Sequence, residues 1–307
     1  MRTSTTSRRH LAESRGALGG AASGVPGDAH PTNVDKRTVL SLRSATLAYG
    51  DRVLWKNLNL QVKAGEFIAV LGPNGTGKTS LLRAILGQQR LTSGTVELLG
   101  EPVRHGSRSI GYIPQQKLIE QGTPLRAKDL VTLGVTGHRW GLPFTPKAVR
   151  QHVDEVIASV GATAFANVPI ATLSGGEQQR IRVGQAIASN PALLLCDEPL
   201  SSLDLNHQRV VSDLIDDRRK ALDAAVVFVT HDVNPILDKV DRVLYLAGGR
   251  FRIGTPDEVL RSEVLSYMYG TPIEVIRTRG RVAVLGAPEG YGVHNHLEHH
   301  VDEGRRH

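Results

Sequence analysis

Short apolar runs of strand length recur along most of the chain, separated by polar turns and by segments of helical period. Runs at residues 40–49 and 58–62 flank a Gly-Asp turn and predict two strands. Shorter runs predict three further strands, at residues 67–71, 96–99 and 110–113. Residues 1–37 have no hydrophobic period. Their Ser-, Gly- and Arg-rich composition predicts a disordered basic arm, and an organelle transit peptide is the alternative.

Strand and helix patterns alternate in the second half of the chain. Strand-like runs lie at residues 193–196, 226–229 and 243–246, with helical patterns at 206–222 and 256–261. This alternation predicts a mostly parallel sheet covered by helices. Residues 116–172 follow a helical period, most clearly at 146–160, and predict a separate helical subdomain. Apolar runs on either side of Arg279-Gly280 predict a terminal hairpin.

Composition narrows the class of protein. The 307 residues are 40% hydrophobic, which is enough for a sizeable core, and no apolar run approaches the ~20 residues that span a bilayer. The single cysteine, Cys196, excludes an internal disulfide and fits a reducing compartment. The net charge of +7 permits an acidic partner. No helical pattern carries a basic stripe with interleaved aromatics, so we do not expect nucleic-acid binding.

The most informative motif is the segment 72–79, which fits the phosphate-loop pattern Gly-x-x-x-x-Gly-Lys-Ser/Thr at every fixed position. It follows a predicted strand and begins a predicted helix. Its glycines let backbone N–H groups surround an anion, and the helix start adds positive potential. Lys78 adds a full charge, and the Thr79 hydroxyl can ligate Mg²⁺. The motif predicts a nucleoside triphosphate site formed by Gly72, Pro73, Asn74, Gly75, Thr76, Gly77, Lys78, Thr79 and Ser80.

Two acids end the apolar strand at residues 193–196. A buried strand that delivers a carboxylate beside a phosphate loop usually holds Mg²⁺, so we assign Asp197 to the metal. Glu198 then lies beside the terminal phosphate and can orient or deprotonate the attacking water. The alternative is a strand that simply ends in solvated acids.

A second helix start carries glycines. Ser174 and Glu177 have the spacing of a capping box, and an apolar helical pattern with Ile181 and Ile187 follows them. A glycine-flanked helix N-terminus is also an anion site. Because the phosphate loop already supplies one anion site, a second one suggests a nucleotide held between two subunits.

Six motifs in order make the chain resemble an ATP-binding-cassette (ABC) ATPase, the nucleotide-binding subunit of a transporter. The resemblance covers residues 39–261, about three quarters of the chain. The first motif is the phosphate loop, and the strand ending in Asp197 and Glu198 is the fourth. The remaining matches are the Q-loop Gln115, the signature residues Ser174, Gly175, Gly176, Glu177 and Gln178, the D-loop Asp204 and the switch His231. Tyr49 additionally matches the aromatic that stacks on adenine.

The resemblance implies a fold and an assembly. The expected fold is α/β, with a phosphate-loop NTPase core, an antiparallel β-subdomain and the inserted helical subdomain. The main domain would span 38–262, and residues 263–307 would form a C-terminal extension. Two copies would pair head to tail around two ATP molecules, so that Ser174 and Gly176 of one copy touch the phosphate held by Lys78 of the other.

The same resemblance assigns chemistry within the ATPase site. ATP and Mg²⁺ are the implied cofactors. Residues with oxygen ligands for the metal would be Thr79, Gln115 and Asp197. Residues expected to carry out hydrolysis are Glu198, His231 and Lys78. An imidazole such as that of His231 can hydrogen-bond a terminal phosphate near neutral pH.

Residues 230–237, 241–246 and 254–260 extend the resemblance to the zinc/manganese uptake type of ABC transporter ATPase. This type implies a separate transmembrane permease subunit, an extracytoplasmic metal-binding protein and a position on the cytoplasmic face of the membrane. Three alternatives remain open at this point. They are import of another small solute such as an iron chelate, export, and a soluble ATPase of the iron–sulphur assembly type.

The last segment of the chain carries four closely spaced histidines, His294, His296, His299 and His300. Imidazoles at short spacing, with carboxylates nearby, can bind Zn²⁺ loosely. We therefore form the hypothesis that this tail senses or buffers metal. A solvated tail with incidental histidines is the alternative.

Overall fold

The computed structural model describes residues 37–115, 125–137 and 146–286. The predicted basic arm before residue 37 and the tail with His294, His296, His299 and His300 lie outside these ranges. Within them the strands, in chain order, are β1 (Thr38–Tyr49), β2 (Arg52–Lys63), β3 (Phe67–Leu71), β4 (Ser93–Leu98), β5 (Glu101–Pro102), β6 (Ile110–Ile113), β7 (Leu193–Asp197), β8 (Ala225–Val229), β9 (Arg242–Ala247), β10 (Arg250–Gly254), β11 (Glu274–Thr278) and β12 (Arg281–Leu285). The α-helices are α1 (Lys78–Ile85), α2 (Ala127–Thr136), α3 (Lys147–Ser159), α4 (Gly175–Ile187), α5 (Leu205–Leu222), α6 (Pro256–Val259) and α7 (Ser262–Tyr269).

The larger sheet has six strands in the order β10, β9, β3, β8, β7, β6. The five strands from β9 to β6 run parallel, and β10 is antiparallel to β9. Every residue of β3, β7 and β8 is buried, as expected for parallel strands covered on both faces. The structure confirms the predicted mostly parallel sheet.

A smaller sheet is antiparallel, in the order β2, β1, β4, β5. It forms the expected antiparallel β-subdomain. β2 begins at Arg52, earlier than the apolar run at 58–62 predicted. Register shifts along the β1–β2 ladder interrupt the alternation of buried and exposed residues, so the first half of β2 lacks the period-2 pattern.

Alternate side chains of β3 enter two separate hydrophobic cores, because successive strand residues point to opposite faces. Ile68 and Val70 pack with residues of the smaller sheet and of α1. Phe67 and Ala69 pack in the other core, with residues of α4, α5 and α7. The loop that follows β3 is therefore fixed by a strand with cores on both sides.

Helices α2 and α3 belong to the described part of the predicted helical subdomain. Both pack against α4, and the crossing is close at Gly184. A Cβ at Gly184 would lie 3.3 Å from Val131 and 3.4 Å from Val160, so only a very small residue fits between the helices.

The segment after residue 262 packs onto the larger core. Leu265, Met268, Ile273 and Val282 are buried in it. The side chain of Asn234 also bonds both backbone groups of Val282, at 2.8 and 3.0 Å. The hairpin of β11 and β12 confirms the predicted one, with positive φ angles at Arg279 and Gly280, as two-residue hairpin turns require. The division of the chain at residue 262 stays a prediction.

In the part of the chain that the structure describes, no helix is both long enough and apolar enough to cross a bilayer.

Candidate functional site

The loop between β3 and α1 forms one wall of an open cavity of about 310 Å³. The cavity brings together residues from the first strands, the loop, the start of α1 and the end of β7. Its lining consists of Tyr49, Arg52, Leu54, Asn74, Gly75, Gly77, Lys78, Thr79, Ser80 and Glu198. Eight of these ten were assigned to the site from the sequence, and Arg52 and Leu54 were not.

Two glycines fix the course of the loop. Gly72 has φ 143°, and a Cβ there would overlap the carbonyl oxygen of Leu246. Gly77 has φ 95°, and a Cβ would lie 2.9 Å from the indole nitrogen of Trp55. A side chain at either position would combine a strained backbone with a collision. The loop thus packs tightly between β9 and β2, and its shape is held by the protein itself.

The Lys78 side chain closes the loop. Its Nζ donates to the carbonyl oxygens of Gly72, at 2.6 Å, and Pro73, at 3.0 Å. Thr76 Oγ1 donates to the same Pro73 oxygen at 2.9 Å. Burial lowers the pKa of Lys78, and the nearby Glu198 and Asp197 carboxylates oppose that shift. The ammonium group is therefore positioned in the cavity wall, with the two acids that end β7 close to it.

Asp197 lies at the end of β7, where parallel pairing places β6 beside it. The Tyr112 hydroxyl on β6 donates to Asp197 Oδ2 at 3.3 Å. Burial raises the pKa of Asp197, and the hydrogen bond from Tyr112 opposes the rise. Burial and the neighbouring carboxylate together raise the pKa of Tyr112 to about 12, so the phenol stays a donor. Tyr112 was not predicted as a site residue.

Three motifs that are distant in sequence meet at the Glu198 carboxylate. Gln115 Nε2 lies 3.3 Å from Glu198 Oε2, and His231 Nδ1 lies 3.6 Å from the same oxygen. The nearby His231 side chain lowers the pKa of Glu198, and Glu198 in turn raises the pKa of His231. Glu198 has φ 46°, a strained value for a residue with a side chain, and its backbone N–H donates to the carbonyl oxygen of Val229 at 2.9 Å. The carboxylate is thus ionised and held toward the cavity.

Tyr49 stands at the mouth of the cavity. Its ring is half exposed, and its hydroxyl donates to Gln89 Oε1 at 3.1 Å. Arg52, three residues later, reaches across the cavity wall, and its Nη2 donates to Gly75 O at 2.9 Å. An arginine after a turn is usually a solvated charge, so the sequence carried no signal for this contact.

The residues around Ser174 do not line this cavity. Ser174 is the N-cap of α4, and its backbone N–H and hydroxyl both donate to Glu177 Oε2, at 2.9 and 2.8 Å. Glu177 N–H donates back to Ser174 Oγ at 3.3 Å, which completes the predicted capping box. Gln178 is buried and donates to Leu173 O at 3.1 Å. Ser174 itself is exposed, so this helix start faces outward.

Asp204 lies nearby as the N-cap of α5. Its Oδ1 accepts from the His207 backbone N–H at 2.9 Å, and its Oδ2 lies 2.6 Å from His207 Nδ1. The imidazole of His207 also lies against Gly176, where a Cβ would be 2.9 Å from the ring Cγ and Nε2. His207 was not assigned any role from the sequence.

The oxygen groups at the site fit a magnesium ion. Mg²⁺ is commonly bound by one or two carboxylates or hydroxyls together with substrate phosphates. Asp197 and Thr79 offer such groups at the end of β7 and the start of α1. Residues 37–115, 125–137 and 146–286 contain no cluster of three His, Cys, Asp or Glu side chains arranged to hold a metal by themselves.

Comparison with known proteins gives a consistent result. The family model described as ABC transporter matches residues 55–201. A manganese transport system ATP-binding protein, MntB of Halalkalibacterium halodurans, is 30% identical over 247 residues, which are 80% of this chain and 98% of the relative. A zinc import ATP-binding protein, ZnuC of Photorhabdus laumondii, is 32% identical over 233 residues, covering 76% of this chain and 84% of the relative.

Solved structures are similar as well. A putative metal-chelate type ABC transporter, in an inward-facing conformation, matches with a TM-score of 0.68 and 28% identity. The match covers 80% of this chain and 96% of that one. The cbiO1 protein of Clostridium perfringens, part of an ABC transporter complex, has a TM-score of 0.65 at 23% identity over 76% of this chain and 94% of its own. The second likeness shows the fold alone.

Proposed function

The chain belongs to the ABC transporter family, and on that premise we propose that it is the ATP-hydrolysing subunit of a metal-ion importer, with zinc or manganese as cargo. One observation carries the ATPase part of the proposal. The Glu198 carboxylate lies at the phosphate-loop cavity and is contacted by both Gln115 and His231. Three distant sequence motifs thus meet at the carboxylate to which we assign the proton of the attacking water.

The proposed chemistry uses this chain's residues as follows. The loop N–H groups, Lys78 and the start of α1 bind the phosphates of ATP, and Tyr49 stacks on its base. Mg²⁺, held by Thr79, Asp197 and Gln115, would neutralise charge on the phosphates. Glu198, whose pKa is lowered by the nearby His231, accepts a proton from the attacking water. His231 also offers a hydrogen bond to the terminal phosphate.

A second copy of the chain completes the site in this proposal. The signature residues 174–178 and Asp204 do not line the cavity, and Ser174 is exposed. Leu205, next to Asp204, is 73% exposed, which is unusual for a leucine and suits a surface covered in an assembly. Head-to-tail pairing would bring Ser174, Gly175, Gly176, Glu177 and Gln178 against the ATP of the partner.

The cargo and the remaining partners rest on the relatives. Two of them are named for manganese transport and zinc import. We propose accordingly a transmembrane permease as a separate subunit, an extracytoplasmic metal-binding protein in the same system, and a position on the cytoplasmic face of the membrane. The metal-chelate type structural neighbour makes a chelated metal the second candidate cargo.

Mixing two inactive variants tests the shared site. Ser174→Arg blocks the partner's site, and Glu198→Gln disables the protomer's own site. In a mixed dimer one of the two sites retains both an intact Glu198 and an intact Ser174. Mixing at equal amounts should therefore restore about a quarter of the wild-type phosphate release, because about half of the dimers are mixed and each has one intact site. Full activity of Ser174→Arg alone, or no recovery on mixing, would contradict the shared site.

Uptake measurements test the cargo. Cells that produce the chain with its permease should accumulate radioactive Zn²⁺ or Mn²⁺, and cells with the Glu198→Gln chain should not. A labelled iron chelate, supplied in parallel, distinguishes the second candidate. Chelate uptake without ion uptake would replace the proposed cargo.

A further inference from the structure

His207 joins two segments that the proposed function places at the partner's nucleotide. Both oxygens of the Asp204 carboxylate are bound by this one residue. Oδ1 accepts from the His207 backbone N–H at 2.9 Å, and Oδ2 lies 2.6 Å from the imidazole Nδ1. The first contact is an ordinary helix cap, which any residue at that position would provide. The second contact depends on the side chain of residue 207.

The opposite edge of the same imidazole lies against the signature helix. A Cβ built on Gly176 would overlap His207 Cδ2 and lie 2.9 Å from Cγ and Nε2. Gly176 is in a helical conformation and has no positive φ, so no backbone requirement explains a glycine here. The absence of a side chain at Gly176 is what lets the ring lie on the first turn of α4.

The ring therefore bridges the first turns of α4 and α5. Asp204 and His207 have side chains that are 64% and 45% exposed, so burial does not hold them together. An exposed pair gains little stability, and two side chains lose freedom when they are held in one arrangement. The contact is thus poorly explained by the stability of the chain alone.

We propose that His207 is a positioning residue that orients Asp204 and the start of α4 together, so that both reach the partner's nucleotide as one unit. This inference rests on the proposed ATP-dependent dimer. Without the imidazole, Asp204 still caps α5, but its carboxylate is less firmly oriented. The first turn of α4 loses the ring that packs against Gly176. ATP would still bind to each chain, but closure of the pair would be weaker.

The test measures ATP-driven dimerisation of the full-length chain in a Glu198→Gln background, by analytical ultracentrifugation with ATP and Mg²⁺. His207→Phe keeps a ring against Gly176 and removes the donor to Asp204. His207→Asn keeps an amide donor near the Nδ1 position and removes the ring. His207→Ala removes both. We expect dimerisation to weaken about threefold to fivefold for each of the first two and about tenfold or more for His207→Ala.

A double-mutant cycle tests whether His207 acts through Asp204. Asp204→Ser keeps a good helix cap and removes the oxygen that contacts the imidazole. If the two residues act together, adding His207→Phe to Asp204→Ser should weaken dimerisation less than about twofold further. Fully additive losses would overturn the role of the Asp204 contact.

Two controls separate the possible failures. ATP binding by the monomeric variants should stay within about twofold of the parent, because His207 does not line the cavity. His105→Phe alters an exposed histidine elsewhere and should dimerise like the parent. Parent-like dimerisation of both His207→Phe and His207→Ala would overturn the inference alone. Failure of the Glu198→Gln parent itself to dimerise with ATP would overturn the proposed function, and the inference with it.

Discussion

The cavity beside Lys78 and the helix start at Ser174 are both glycine-rich helix N-termini, yet the chain surrounds them differently. Lys78 is buried, bound by two loop carbonyls and close to both acids of β7. Ser174 is exposed. Its backbone N–H and hydroxyl donate to the Glu177 carboxylate, and the Glu177 N–H donates to the Ser174 hydroxyl, which closes the capping box. Lys78 lines the cavity of its own chain, whereas Ser174 lies on the surface outside that cavity.

This difference indicates a different role in nucleotide binding for each region. A loop held by Leu246, Trp55 and its own lysine can bind phosphate without rearrangement. At the second helix start, Ser174 and Glu177 cap each other, and neither residue lines the nucleotide cavity. We therefore expect a single chain to bind nucleotide at the Lys78 cavity. We expect the Ser174 region to contact nucleotide only when a second chain is present.

Glu198→Gln should have the largest effect on turnover. The amide cannot accept a proton from water, so kcat should fall by about 10²- to 10⁴-fold. The phosphate loop is unchanged, so ATP affinity should change by less than about threefold. Phosphate release and equilibrium titration with labelled ATP measure the two quantities. Normal turnover in this variant would remove Glu198 from the proposed mechanism.

Lys78→Ala and Ser174→Arg should differ in their effect on the ATP affinity of a single chain. Lys78→Ala removes a buried charge from the phosphate site, so ATP affinity should fall about 10- to 100-fold. Ser174→Arg changes an exposed position outside the cavity, and the monomer should bind ATP like the wild type. Equal losses of ATP affinity in the two variants would mean that both regions serve the same chain's nucleotide.

Tyr112→Phe should have a smaller effect within the cavity region. Loss of the hydroxyl frees Asp197 from its 3.3 Å hydrogen bond, so the carboxylate is oriented less well for the metal. We expect the Mg²⁺ concentration for half-maximal ATP binding to rise about threefold to tenfold. Titration of nucleotide binding with Mg²⁺ measures this without turnover. Tyr267→Phe, at an exposed tyrosine on α7, is the matched control and should show no change.

The smallest predicted effect is the change that His231→Gln makes to the pH dependence of the unfolding free energy. The raised pKa of His231 contributes stability that is present below its ordinary value of 6.5 and is lost as pH rises through the folded-state pKa. The lowered pKa of Glu198 contributes stability that is present above 4.5 and is lost as pH falls through its folded-state pKa. The contribution of the pair is therefore greatest between these two values.

Denaturant unfolding of the wild type and His231→Gln measures that contribution. Because the His231 side chain is 40% exposed, we expect a difference in unfolding free energy below about 1 kcal/mol near pH 5.5. The difference should shrink toward pH 9. A constant difference across this range would show that the histidine contributes by packing and not by charge.

Local signals in the sequence determined much of the fold and of the site. The apolar runs at 67–71 and 193–196 predicted buried strands, and both are found with every residue buried. The spacing of Ser174 and Glu177 predicted the capping box that the structure contains. These features depend on residues within one or two turns of one another, so a single stretch of sequence contains the whole physical cause.

Some elements had weak local signals. α7 and β10 were not predicted, because both are short, β10 has no fully buried residue, and α7 has only two. Leu265 and Met268 are buried only because the larger core lies beneath α7. Their burial depends on a surface formed by distant parts of the chain.

Which side chains meet depends on packing between distant parts of the chain. The pairing of β6 with β7 brings Tyr112 to Asp197, and the end of β8 brings His231 to Glu198. The approach of α4 to α5 brings His207 to Gly176. The order of strands and the crossing of helices result from packing among residues far apart in sequence, and no local pattern encodes these distances. The motifs identified which groups the candidate site contains, and the packing of the sheet and helices brings those groups into contact.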